Sequence, residues 1–180
     1  MIAGRVVGLL LGGAVLLLAC LLPQEDHIIQ PLPPPANQPP RILENLLQPA
    51  NRFVTVQNGT DCPNLSFLAP VSDPDVNDSL IYNYYVDPNL FPPFVKQATI
   101  SPSGQADRAQ PASYEVSFAT PGPLQQPGEH VVEVLVSDGA LVNRDPQPRK
   151  ITLLDGGTGL QPTYAVTYAW TVTAVAGPCL

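Results

Sequence analysis

Apolar and polar residues alternate in short runs over most of the chain. The stretch RFVTVQ (52–57) alternates and ends at Asn58-Gly59, a turn signal. LIYNYYV (80–86) sets Leu80, Tyr82, Tyr84 and Val86 on one face. In SYEVSFA (113–119), Tyr114, Val116 and Phe118 share a face, with Glu115 and Ser117 opposite. HVVEVLVSDG (130–139) turns Val132, Val134 and Val136 one way and Glu133 the other. The longest run, TYAVTYAWTVTAV (163–175), gathers Tyr164, Val166, Tyr168, Trp170 and Val172 against Thr167, Thr171 and Thr173. LSFLA (65–69) and VKQATI (95–100) are shorter runs of the same type. A period of two places successive side chains on opposite faces of an extended chain, so these runs predict half-buried strands. ILENLL (42–47) is the one plausible helical turn, and Pro49 stops it. About seven strands separated by turn residues predict an all-β, antiparallel β-sandwich. The aromatic stripes are then its core, with Trp170 as the central plug.

The first forty residues follow other rules. Met1–Ala19 carries one charge, Arg5, and then thirteen apolar or small residues from Val6 to Leu18. As a helix that run covers about 20 Å, short of a hydrocarbon core of ~30 Å. A charged start with a short apolar centre reads as a signal peptide over 1–19. Residues 21–40 hold seven prolines. Neither a helix nor a central strand survives that density, so the segment reads as a semi-rigid, polyproline-like tether without regular secondary structure. The predicted organisation is a signal peptide (1–19), Cys20 with a Pro-rich tether (20–40), and a β-sandwich domain (41–180).

Leu17-Leu18-Ala19-Cys20 closes the apolar run. It resembles the lipobox of bacterial lipoproteins: an aliphatic residue, a tolerant position, a small residue and then Cys. The resemblance implies a diacylglycerol on the Cys20 sulfur, cleavage before Cys20, and acylation of the new amine. One acyl chain holds a membrane weakly, while two or three hold it durably. Leu21 follows the cysteine, and by the sorting rule of some Gram-negative cells this implies the outer membrane. An uncleaved anchor and an ordinary signal peptide with an incidental cysteine are the other readings.

Charge narrows the partners. The 180 residues include 8 basic and 15 acidic side chains, for a net charge of −7. Such a chain repels phosphate backbones, which argues against nucleic acid, and it lacks the basic cluster that would draw it to anionic lipid. The expected partners are the bilayer, through acylated Cys20, and an envelope protein or glycan that the residues do not name.

Three constellations invite chemistry. Asp73, Asp75, Asn77 and Asp78 crowd one turn. Hard cations take six to eight oxygens, so calcium is one reading, with Asp138 joining from a neighbouring loop. The turn lacks the glycine and the distant glutamate of an EF-hand. A plain Asp/Asn turn accounts for the same residues. Cys62 and Cys179 remain once Cys20 is lipidated, and in an exported domain they suggest a disulfide; two free thiols are the alternative. The histidines, His27 in the tether and His130 at a strand start, have no accompanying motif. A triad of His130, Asp138 and a serine can be drawn only on paper, without a nucleophile elbow. No enzyme activity and no cofactor are expected.

VSDPDVNDSLIYNYYVDPN (71–89) and GEHVVEVLVSDG (128–139) carry a second resemblance. They are similar to the immunoglobulin-like domains of the polycystic-kidney-disease-repeat and cadherin-like kind on bacterial surfaces. In those, an acidic turn leads into an aromatic strand, and a later strand alternates valines before an aspartate. The likeness covers roughly 60–140 and the last strand. It departs at 140–162, an insertion that predicts either a small hairpin around Asp155-Gly156-Gly157 or a recognition loop. Together these readings predict a membrane-anchored bacterial lipoprotein with a non-enzymatic Ig-like module for binding or assembly. The alternatives are a calcium-stabilised adhesion domain and an accessory subunit of a secreted or membrane enzyme complex. The loops favoured for recognition are 71–79 and 139–162.

Overall fold

In the computed structural model, residues 36–88, 94–108, 111–153 and 155–179 are described. Cys20, His27 and the signal segment lie outside them. The described chain is all-β. Its strands are β1 (Arg41–Ile42), β2 (Phe53–Gln57), β3 (Leu65–Leu68), β4 (Val71–Ser72), β5 (Leu80–Val86), β6 (Lys96–Ile100), β7 (Ser113–Val116), β8 (Gly128–Ser137), β9 (Leu141–Val142), β10 (Asp145–Pro146), β11 (Arg149–Thr152), β12 (Thr158–Gln161) and β13 (Ala165–Val175). No helix among the described residues is long and apolar enough to cross a membrane.

Five strands form the larger sheet in the order β2-β13-β8-β5-β6. Its pairings are antiparallel except β13 with β2, which is parallel. The second layer is built from shorter pieces. β1 pairs β4, β3 pairs β7, and a bridge from Gln48 to Leu68 joins the two pairs. The two layers make a β-sandwich, as the alternation predicts.

The inner faces meet in one core. Leu80, Tyr82 and Tyr84 of β5 and Val132, Val134 and Val136 of β8 are fully buried, as are Trp170 and Val172 of β13. Register explains the layering, since Tyr82 sits opposite Val136 and Trp170 opposite Val132. Phe67 from the second layer meets Trp170 edge to face at 5.3 Å, a favoured aromatic geometry. Two buried polar ends find partners, Trp170 Nε1 donating to Pro49 O at 3.0 Å and Tyr84 OH to Ala112 O at 2.8 Å, while the buried Tyr82 hydroxyl has none among the described residues. Burial raises the tyrosine pKa values of both Tyr82 and Tyr84.

Several expectations shift in detail. The run 42–47 splits into the end of β1 and one 3₁₀ turn, Glu44–Leu46. The run 113–119 stays a strand only to Val116, although Phe118 remains buried. The insertion 140–162 folds into two hairpins, β9–β10 and β11–β12. The second closes at the expected place, where Leu153 N donates to Gly157 O at 2.8 Å and Gly156 adopts φ 81°. Residues 36–40, which the proline density assigns to the tether, belong to the folded unit, with Asn37 and Pro40 buried.

Candidate functional site

The acidic turn is built around arginines. Asp73 is fully buried, and its Oδ2 meets Arg108 Nη2 at 3.4 Å. The same nitrogen donates to the carbonyls of Asp75 (3.3 Å) and Asp78 (3.0 Å). Nη1 donates to Val76 O at 3.2 Å and reaches Ser103 Oγ at 3.5 Å. Five oxygens thus surround one buried guanidinium. Asp78 Oδ1 accepts from Arg149 Nη1 at 2.5 Å, and Arg149 continues to Gln161 and to Asn37. Asp75 Oδ2 accepts from Gln38 N at 2.6 Å. Asn77 is exposed.

This arrangement answers the calcium reading. The carboxylates do not turn toward a common vacant point. Asp73 and Asp78 face two fixed cations and Asp75 a backbone N–H, because Arg108 and Arg149 fold in from elsewhere in the chain, while the buried Asp78 Oδ2 has no partner among the described residues. Among the described residues no group of three or more His, Cys, Asp or Glu converges as a ligand set. Asp138 does join the cluster, as the sequence suggests: its Oδ1 accepts from Tyr164 N at 2.7 Å and its Oδ2 from Asn37 Nδ2 at 2.8 Å. Burial raises the pKa values of Asp73 and Asp138 against the pull of these donors and of the arginines. The hydrogen bond to Asp78 raises that of Arg149.

At the other end of β8, His130 sits between two acceptors. Its Nδ1 lies 2.8 Å from Asp87 Oδ2, and its Nε2 lies 2.8 Å from Gln126 O. Only the imidazolium donates at both nitrogens. Burial opposes that charged form, but the Asp87 hydrogen bond, the Gln126 carbonyl and the Asp87 charge outweigh it and raise the pKa. Asp87 itself sits at φ 49° and accepts Val131 N through Oδ1. Eight residues of strand, about 26 Å at ~3.3 Å each, separate His130 from Asp138. The two do not form a triad. Cys62 and Cys179 are bonded to each other, tying the turn before β3 to the segment after β13.

A recess with ligand dimensions lies on the outer face of the larger sheet. Its volume is about 830 Å³. Ile81, Asn83 and Tyr85 form the floor, being the β5 residues that alternate away from the core. Gln97 of β6 borders one side, and Pro88 and Phe94 close one end. The opposite wall is the β9–β10 hairpin, through Leu141, Asn143 and Arg144, with Asn143 at φ 58° in the turn. The Arg144 guanidinium lies 4.6 Å from the Tyr85 ring centre and forms an ion pair with Glu133. Gln97 Nε2 donates to Asn83 Oδ1 at 2.9 Å, and Asn83 Nδ2 donates to the Tyr85 hydroxyl at 3.4 Å.

Of the favoured loops, 139–162 contributes a wall to this trough, while 71–79 is locked by arginines. Sequence reasoning passes over Asn83, Tyr85 and Arg144. Their signal is present in the alternation itself: a strand reading Ile-Asn-Tyr at 81, 83 and 85 offers an outer face too apolar to be left bare. Comparison with protein-family models, with curated proteins and with solved structures gives no match.

Proposed function

We propose that this protein is a lipid-anchored, non-enzymatic module of the bacterial cell envelope, held in the bilayer by acylated Cys20 and engaging a partner through the trough on its larger sheet. The Leu17-Leu18-Ala19-Cys20 motif and the apolar run before it support the anchor and, with Leu21, the outer membrane of a Gram-negative cell. The trough is the observation that carries the binding role. It is walled by an insertion that a plain sandwich does not need, and it combines apolar surface with a few oriented polar groups, as ligand sites do. The isolation of His130 from Asp138 supports the non-enzymatic reading.

The test is chemical crosslinking in intact native cells, followed by purification through the domain, with Cys20→Ser as the unlipidated control. One envelope protein or glycan recovered repeatedly with the lipidated form, and lost on Tyr85→Ala, is the expected outcome. Equal recovery from the Cys20→Ser and Tyr85→Ala forms would count against both the anchor and the trough.

A further inference from the structure

β6 pairs β5 along one side. Among the described residues no strand lies along its other side, so its outward N–H and C=O groups are left as a template for another chain. The trough opens beside that same edge, with Gln97 of β6 at its border. We propose that β6 accepts an extended peptide segment of a partner protein as a sixth strand, and that long alternate side chains of this segment reach past Gln97 into the trough. This rests on the reading of the domain as a binding module and names the kind of partner it takes.

The geometry sets the pattern of the segment. An added strand would run about 4.8 Å beyond β6, with every second side chain on the outer face beside Gln97. Main-chain bonds then supply affinity, and the trough supplies selection among side chains. Arg144 is the charged residue among those lining the trough, and its charge is already met by Glu133 and by the Tyr85 ring. The inserted side chains are therefore uncharged. Ile81, Leu141 and Phe94 suit apolar groups, while Asn83 and Gln97 suit an amide or hydroxyl. On the other face of β6, Lys96 is exposed at the edge and favours an acidic neighbour across the new pairing. The expected ligand thus sets uncharged residues beside Gln97 and, on the core-side face, apolar residues beside Ala98 and Ile100 with an acidic residue opposite Lys96.

The test is selection of random eight-residue peptides against the chain purified in detergent from its own membrane, followed by amide hydrogen exchange on the bound complex. The expected result is a family of peptides with alternating apolar positions that slows exchange at every second β6 amide by about tenfold or more. Amides of β2, the opposite edge, should be unchanged in the same sample. Neighbouring backbone N–H groups point to opposite sides of a strand, so only one of Gln97→Pro and Ala98→Pro removes an outward donor. That variant should keep the parental Tm and bind the peptide about tenfold more weakly. The proposal is overturned if no peptide is enriched, or if β6 exchange is unaltered by a ligand in the trough, a neutral glycan included. A chain found without lipid on Cys20 would instead remove the envelope reading and leave peptide addition at β6 standing.

Discussion

Arg108 holds the turn that the four acidic and amide residues make. Its guanidinium gathers the buried Asp73 Oδ2 and Asp78 carbonyl and the part-buried carbonyls of Asp75 and Val76. Removing one member of a buried pair leaves the other charged and uncompensated, at a cost of about 3–5 kcal/mol. Arg108→Met is expected to lose stability on that scale in urea unfolding, and adding Asp73→Asn should recover part of it. Because Arg108 and Arg149 already pair with Asp73 and Asp78, millimolar Ca²⁺ should leave the Tm of the parent chain unchanged; a rise would restore calcium as a structural ligand. His130 makes the second residue-scale prediction. Its folded pKa is raised, so the stability it contributes is full below about 6.5 and is lost as pH rises through the raised value. Asp73 and Asp138, also raised, act in the same direction at lower pH, where their contribution fades as pH climbs from about 3.8. The Tm should therefore be higher near pH ~6 than near pH ~9, and His130→Gln should flatten that difference. An equal slope in the variant would remove His130 as its source.

At the scale of elements, alternation made the long strands legible. Runs such as 80–86 and 163–175 read as strands because their buried faces demand a period of two, and the larger sheet is built from them. Strands of two residues leave no such trace. Val71–Ser72 and Leu141–Val142 pair because neighbours position them, and their own sequences carry no periodic signal. The site was harder to read for the same reason. Arg108 and Arg149 meet acids that lie 35 and 71 residues away, Arg108 from outside any strand and Arg149 from the start of a four-residue one. The acidic cluster was visible, but its counter-ions were not, and an unneutralised cluster suggested a metal. The cysteines were legible from compartment and count. Their bond closes a separation of 117 residues, so it constrains the unfolded chain strongly. Reduction, or Cys62→Ser with Cys179→Ser, should cost on the order of 2–5 kcal/mol in urea unfolding. No change in the midpoint would mean the bond adds nothing to the sandwich.

At the scale of the whole molecule, the proposed lipid on Cys20 would hold the sandwich at a membrane, where a partner in the same membrane meets it at high effective concentration. The acidic balance suits such a position, since it discourages collapse onto anionic lipid. All of this depends on the lipid at Cys20. Intact-mass spectrometry of the protein extracted from its native membrane tests that most directly. The account predicts a mature chain beginning at Cys20 and heavier than its sequence by a diacylglycerol and a further acyl group. A chain that retains residues 1–19, or that begins elsewhere without added mass, would contradict it.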